Sequence, residues 1–143
     1  MSGRERASLQ ARRLAFVALF EAEFPPQSAT SALERLTSEW GVEPPIAAHA
    51  QTIVTGVLDH RHALDREIAS RAPKIPVSEL GRVERTILRS ALFEVLYSAP
   101  FPSAGTTRDA VSLARTYAGD SAGRLVGGVL RGLARPAPEG DEG

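Results

Sequence analysis

ELGRVERTILRSALFEVLY, residues 79–97, is the stretch of this 143-residue chain that best predicts its fold. Apolar side chains recur there with the 3.6-residue period of an amphipathic α-helix. They are Leu80, Val83, Ile87, Leu88, Ala91, Leu92, Val95 and Leu96. Ser78 stands where a helix N-cap belongs. On a helical wheel Glu84 falls inside the apolar stripe, where a carboxylate is unfavourable unless it is paired, so we expect Glu84 to meet a partner.

The remaining sequence predicts more helices and no strands. Helical periodicity, with Pro and Gly as helix-ending residues, divides the chain into segments at about 4–24, 28–40, 46–71, 79–97, 106–118 and 122–134. The third segment has a candidate break near 59–61, so six or seven helices are expected. We expect one all-α domain over residues 1–135, with Gly41 and Gly119 ending helices and Ser121 capping the last one. Residues 136–143 are rich in Pro, Gly and acidic residues, which predicts a disordered acidic tail.

The first predicted helix is apolar on two opposite faces, which suggests a neighbour on each. Its aromatic face holds Leu9, Phe16, Phe20 and Phe24, and its small face holds Ala11, Ala15, Ala18 and Ala22. Arg13 falls on the aromatic face, near Phe20. A two-sided apolar helix also leaves open a protein-binding adaptor or a homodimer. The second predicted helix offers Leu33, Leu36 and Trp40 to the core.

Charge is balanced overall but uneven along the chain. There are 17 basic and 17 acidic residues, so the formal net charge is zero. Near the N-terminus, however, Arg4, Arg6, Arg12 and Arg13 stand against the single acid Glu5. This basic start predicts a local anion-binding site, with nucleic acid as one candidate; a solvated terminus is the simpler alternative.

Motifs for catalysis and metal binding are missing. The chain has no cysteine, which excludes disulfides, thiolate zinc sites and cysteine nucleophiles. His60 and His62 point about 160° apart on a helix and cannot chelate one metal from it. Nucleophile elbows, zinc-protease motifs, Ca²⁺ loops and phosphate-binding loops are absent. We expect no enzyme activity, no metal and no cofactor. Glycines at 123, 127, 128 and 132 predict close helix packing or close approach of a ligand.

No membrane partner is expected either, because no apolar run reaches the roughly 18 residues of a membrane span. The N-terminus lacks the apolar core of a signal peptide. Together these features predict a cytoplasmic protein.

Four segments, in order, resemble the NusB family of bacterial transcription antitermination factors. LGRVERTILRSALFEVLY at 80–97 resembles the signature helix of that family, and ARRLAFVALFEAEF at 11–24 resembles its opening helix. RDAVSLARTYAG at 108–119 and LVGGVLRGL at 125–133 resemble two later motifs. The resemblance implies two packed helical bundles without enzyme activity. It also implies binding to the boxA element of ribosomal RNA together with the ribosomal protein NusE, within the transcription elongation complex.

The resemblance assigns RNA-binding roles near the N-terminus. Arg12 matches the N-terminal arginine of the family, and Arg4, Arg6 and Arg13 around it suit phosphate contacts. Phe20 stands where the family usually has an RNA-facing tyrosine. It can stack on a base or pack in the core.

One further residue carries an implied role, while others depart from the family. Glu84 matches the glutamate that faces NusE, which would supply the partner that its place in the stripe demands. Leu125 replaces an expected phenylalanine and Gly127 an asparagine, so the preferred RNA sequence is left open. The closing motif also resembles the NusB-like domain of ribosomal RNA cytosine methyltransferases, and a free-standing relative of that domain is an alternative.

Overall fold

The computed structural model describes residues 1–98 and 103–131, and all regular structure in these residues is helical. The α-helices are α1 (Gly3–Glu21), α2 (Ala29–Trp40), α3 (Pro44–Asp59), α4 (Arg61–Arg71), α5 (Arg82–Tyr97), α6 (Ser103–Ala118) and α7 (Asp120–Leu130). A short 3-10 helix, Val77–Glu79, precedes α5. The predicted all-α class is confirmed. The predicted tail at 136–143 and the end of the last predicted helix lie outside the described residues.

The helices form two bundles that share α5. In the first bundle α1 packs on α2 and α3, and in the second α5 packs on α4, α6 and α7. Helix α5 also contacts α1 and α3, so residues 79–97 lie between the two bundles. Leu88 and Leu92 of α5 are fully buried. Ala11, Ala15 and Phe16 of α1 are buried as well, so both apolar faces of α1 meet neighbours as predicted.

Several predicted helix boundaries are confirmed. Ser28 caps α2, its side chain accepting a hydrogen bond from the backbone of Ser31 at 3.1 Å. Gly41 ends α2 in the left-handed conformation, with φ +61°. The predicted break near 59–61 falls at His60, which lies between α3 and α4.

Two predicted N-caps are wrong. Ser78 lies in the 3-10 helix, and Gly81 precedes α5 instead. Leu80 is extended and only 6% exposed, so the chain turns here to bury it before the helix starts. Ser121 lies inside α7, because Gly119 takes a φ of +97° and allows α7 to begin at Asp120.

Several apolar residues near helix ends are exposed, although their periodicity predicts that they are buried. Trp40 is 37% exposed and Leu96 41%, although both were core candidates. Helix α1 likewise ends at Glu21, before Phe24, which is exposed in the following turn. Each lies near or beyond the end of its helix, so neighbouring helices do not cover it.

Helices approach closely where glycine permits. A side-chain carbon at Gly56 of α3 would overlap the Phe93 ring of α5, and one at Gly123 of α7 would press on Arg115 of α6. Gly127 faces Val111 at ordinary contact distance. Close packing, one of the two predicted reasons for these glycines, is therefore confirmed at Gly123. Gly128 faces open space.

Candidate nucleic-acid interface

Arg12 lies in a buried ion-pair network. Its Nε donates to Oε1 of Glu94 at 2.8 Å, its Nη1 to Oδ2 of Asp109 at 2.7 Å and its Nη2 to the hydroxyl of Thr106 at 3.2 Å. Nε2 of His49 lies 2.9 Å from the other carboxylate oxygen of Glu94. The network joins α1, α3, α5 and α6, and therefore ties the two bundles together.

Pairing keeps the network ionised despite burial. Burial alone would raise the pKa of Glu94, but hydrogen bonds from His49 and Arg12 outweigh it and lower that pKa below 4.5. Burial would lower the pKa of Arg12, but the bonds to Glu94 and Asp109 outweigh it and raise that pKa further. Two carboxylates occupy the guanidinium, which is almost shielded from solvent. This placement corrects the expectation of a phosphate contact at Arg12, whose charge instead supports the fold.

Glu94 is the buried carboxylate of α5, and sequence reasoning missed it. Glu94 falls about 20° from Ile87 on the helical wheel, inside the same apolar stripe as Glu84. Its residue is 1% exposed, whereas Glu84 is half-buried in the first turn of α5. The helical wheel therefore also identifies Glu94 as a carboxylate in the apolar stripe. It does not identify the basic partner, which lies on another helix.

Arg6 and Arg13 lie on an exposed stripe of α1. They are seven residues apart, so their side chains lie about 20° apart on the helix and about 10 Å apart along it. Arg13 makes no ion pair or hydrogen bond within the described residues. Among the described residues, Arg6 donates only to the carbonyl of Met1, at 2.7 Å. Arg4 is also exposed and, within residues 1–98 and 103–131, unpaired. These guanidinium groups give α1 an uncompensated positive edge.

Phe20 continues this stripe one further heptad along α1. The ring is half-buried, with its centroid 5.6 Å from that of Phe16 and 5.4 Å from that of Phe24. Phe20 thus packs on the core and keeps part of its surface open, which leaves both predicted roles available. Phe16 also contacts Tyr117, at 4.9 Å, and Tyr117 is 43% exposed at the end of α6. The fold therefore brings a second open aromatic ring, unnoticed in the sequence, close to this stripe.

Glu84 lies at the N-terminal end of α5. It stands in the first turn of α5, with its carboxylate against the backbone of Gly81, where the partial positive charge of a helix N-terminus favours an anion. It makes no ion pair or hydrogen bond in the described part of the chain. Nearby, the exposed Arg82 lies over the Phe24 ring at 4.9 Å.

The other basic residues of α5 are engaged inside the fold. Arg89 makes two hydrogen bonds to Asp65, at 2.7 and 3.0 Å, and Arg85 donates to Glu23 at 3.1 Å. Arg61 lies 3.5 Å from the same glutamate. These pairs tie the turn after α1 to α4 and α5. Among the residues described, the free cationic surface closest to Phe20 along α1 is therefore that of Arg13.

The described residues form a small all-helical fold with an exposed cationic stripe on α1. In residues 1–98 and 103–131 no group of three or more His, Cys, Asp or Glu side chains could hold a metal ion. None of the helices described has the length and apolarity needed to cross a membrane.

The sequence profile of the NusB family matches residues 9–135, and the chain belongs to that family. The transcription antitermination protein NusB of Bdellovibrio bacteriovorus is 34% identical over 126 residues, which cover 87% of this chain and 92% of the relative. The protein of the same name from Geotalea uraniireducens is 28% identical over 138 residues, covering 91% and 95%. The predicted family is confirmed, and these names agree with the predicted non-enzymatic class.

Solved structures share the fold. T. maritima NusB superposes with a TM-score of 0.81 at 26% identity, covering 99% of this chain and 98% of that one. A crystal structure of the antitermination factors NusB and NusE in complex with dsRNA gives a TM-score of 0.81 at 24% identity, covering 93% and 98%. The arrangement of helices implied by the family resemblance is therefore confirmed.

Proposed function

We propose that this protein is a transcription antitermination factor that binds boxA-type RNA together with the ribosomal protein NusE, within the transcription elongation complex. Family membership supports the class, because the curated relatives are named transcription antitermination proteins. A structural neighbour of the same fold was crystallised with NusE and double-stranded RNA. The observation on this chain that carries the proposal is the exposed, unpaired Arg13 on the same stripe as Phe20.

In this proposal the stripe of α1 holds the RNA. Arg6 and Arg13, with Arg4 at the start of the helix, contact phosphates, and the open part of the Phe20 ring stacks on a base. Such stacking contributes about 1–3 kcal/mol per base. Arg12 has no direct RNA contact here, because its guanidinium is occupied by Glu94 and Asp109.

The partner surface is assigned to the N-terminal end of α5. Glu84 is half-exposed and has no internal partner among the described residues, so a basic side chain of NusE can pair with it. The RNA stripe lies on α1 and this carboxylate on α5, and these two helices pack against each other. Protein and RNA can thus be held side by side, which predicts that each strengthens binding of the other.

The experiment is a titration of fluorescein-labelled boxA RNA with this protein, followed by anisotropy, with and without NusE. We expect tighter binding with NusE, and weaker binding of a permuted RNA of the same composition. Phe20→Ala should weaken RNA binding, whereas Phe20→Tyr should retain the wild-type affinity, because both aromatic rings can stack on a base. Equal affinity with and without NusE, and for both RNAs, would refute the proposal.

A further inference from the structure

A groove beside the basic stripe of α1 contains the single tryptophan of this chain. It is open to solvent, has a volume of about 480 Å³ and is lined by Arg6, Leu9, Gln10 and Arg13 of α1 and Trp40 of α2. We call it the Trp40 groove. Its lining joins an aromatic ring to two guanidinium groups, and no carboxylate is part of it.

Trp40 is held at the surface by the way α2 ends. It is the last residue of the helix, and Gly41 then turns the chain: its N–H bonds to the carbonyl of Ser38 at 3.2 Å, and that of Val42 to the carbonyl of Thr37 at 3.4 Å. This pair of bonds is a Schellman motif, which fixes the last turn of the helix. A large indole that is 37% exposed at a rigid helix end is therefore available to a ligand.

The groups in the groove are free to act on a ligand. In the part of the chain that the structure describes, the Trp40 indole makes no hydrogen bond and no ring contact, and neither arginine lies over it. Arg13 has no partner there, and Arg6 has only a backbone carbonyl. Two acids adjoin the groove residues in sequence, and both are engaged. Glu5 accepts from the backbone of Ser2 at 2.7 Å and from Arg108 at 3.3 Å, and Glu39 accepts from Arg35 at 3.1 Å.

An aromatic ring beside two arginines that have no acidic partner among the described residues matches the chemistry of single-stranded RNA. Every base has a face that stacks on an aromatic side chain, and the phosphates on either side of it take guanidinium groups. The volume of the groove lies within the roughly 300–1,000 Å³ of small-ligand sites. A duplex is a poorer fit, because its bases are already stacked on one another.

We infer that the Trp40 groove binds one nucleotide of a single-stranded RNA, with its base on the indole and the adjoining phosphates on Arg6 and Arg13. The inference rests on the proposed RNA-binding function and extends the RNA path from α1 onto the end of α2. It adds a stacking residue that the resemblance to the family did not assign.

The test uses the only tryptophan as its own reporter. Single-stranded boxA RNA is titrated into the intact protein while Trp40 fluorescence and the anisotropy of labelled RNA are recorded in parallel. We expect quenching that saturates at the same concentration as the anisotropy. Trp40→Ala should weaken binding by roughly 5- to 140-fold, the loss of one base stack, and Trp40→Phe should retain most of the affinity. Tyr97→Ala, which removes an exposed ring from the end of α5, is the matched control and should leave affinity unchanged.

The outcomes separate this inference from the proposed function. RNA binding with unchanged fluorescence and normal affinity of a folded Trp40→Ala variant would overturn the groove and leave the proposed function standing. Absence of RNA binding by the wild-type protein, with and without NusE, would overturn both. Quenching by NusE alone, with no response to RNA, would show that a protein segment fills the groove and would also overturn the inference.

Discussion

Replacing Arg12 by alanine should destabilise the fold strongly rather than weaken RNA binding selectively. The substitution would leave the Glu94 and Asp109 carboxylates buried, with side chains only 1% and 2% exposed. In the part of the chain that the structure describes, Glu94 would keep His49 at 2.9 Å, and Asp109 would keep Arg108 at 3.5 Å. Breaking a buried ion pair by removing one partner costs about 3–5 kcal/mol, because the remaining charge is left uncompensated.

The assay is urea unfolding followed by far-ultraviolet circular dichroism, with Arg13→Ala as the control. Arg13 is the adjacent residue on the same helix, but it is exposed and, within the residues described, unpaired. Its substitution should therefore change the free energy of unfolding by less than about 0.5 kcal/mol. For Arg12→Ala we also expect the melting temperature to fall by roughly 10–20 °C.

Two results would contradict a structural role for Arg12. If Arg12→Ala kept the wild-type free energy of unfolding while losing RNA affinity, the guanidinium would be a surface contact and the network would contribute little. If both variants lost RNA affinity equally at full stability, the distinction drawn between the two arginines would be wrong.

Three further predictions concern other parts of the molecule. The folded-state pKa of Glu94 lies below 4.5, so its ionised form contributes stability that is complete above about pH 4.5 and is lost as the pH falls through that lower pKa. Glu94→Gln should therefore flatten the pH dependence of the unfolding free energy below pH 4.5. An unchanged pH dependence in acid would contradict this prediction. Gly56→Ala should lower the free energy of unfolding in urea by about 1–3 kcal/mol, because the new methyl group displaces the Phe93 ring. Gly3→Ala is the control and should leave that free energy nearly unchanged, because no described side chain lies near Gly3. Equal effects of the two substitutions would contradict the close approach of α3 and α5. Glu84→Lys should weaken NusE binding roughly tenfold or more in calorimetry, because the lysine would face the basic side chain of NusE that pairs with Glu84. The circular dichroism spectrum should stay that of the folded wild type. Unchanged NusE affinity, or unfolding of the variant, would show that Glu84 has a structural role instead.

Periodicity predicted the helices well, because burial of one face is a local property of the pattern. The stripe of 79–97 correctly placed Leu88 and Leu92 in the core. It failed for Leu96, since burial near a helix end depends on whether another helix reaches that far. The prediction that Trp40 is buried was wrong for the same reason. The exposure of Trp40 makes the groove beside α1 available to a ligand.

The candidate site was less predictable than the fold. Arg12 and Arg13 are adjacent and chemically identical, and only the packing of α1 against α5 and α6 decides that one enters the core and the other faces solvent. The partner of Arg12 is 82 residues away in sequence, at Glu94, so no local pattern could indicate the pair. Phe20 was placed on the correct helix face, but its half-buried state depends on Phe16 and Phe24.

If the exposed stripe of α1 holds RNA phosphates, the affinity for RNA must depend on salt through Arg13. Affinity for single-stranded boxA RNA, with NusE present, is measured over a series of salt concentrations for wild type, Arg13→Ala and Arg66→Ala. Arg66 is an exposed arginine of α4, also without a partner among the described residues, so its loss changes the net charge equally. We expect Arg13→Ala to reduce the slope of log affinity against log salt by about 0.7, the value for one phosphate contact, and Arg66→Ala to leave the slope unchanged. Equal slopes for wild type and Arg13→Ala would contradict a phosphate contact at Arg13.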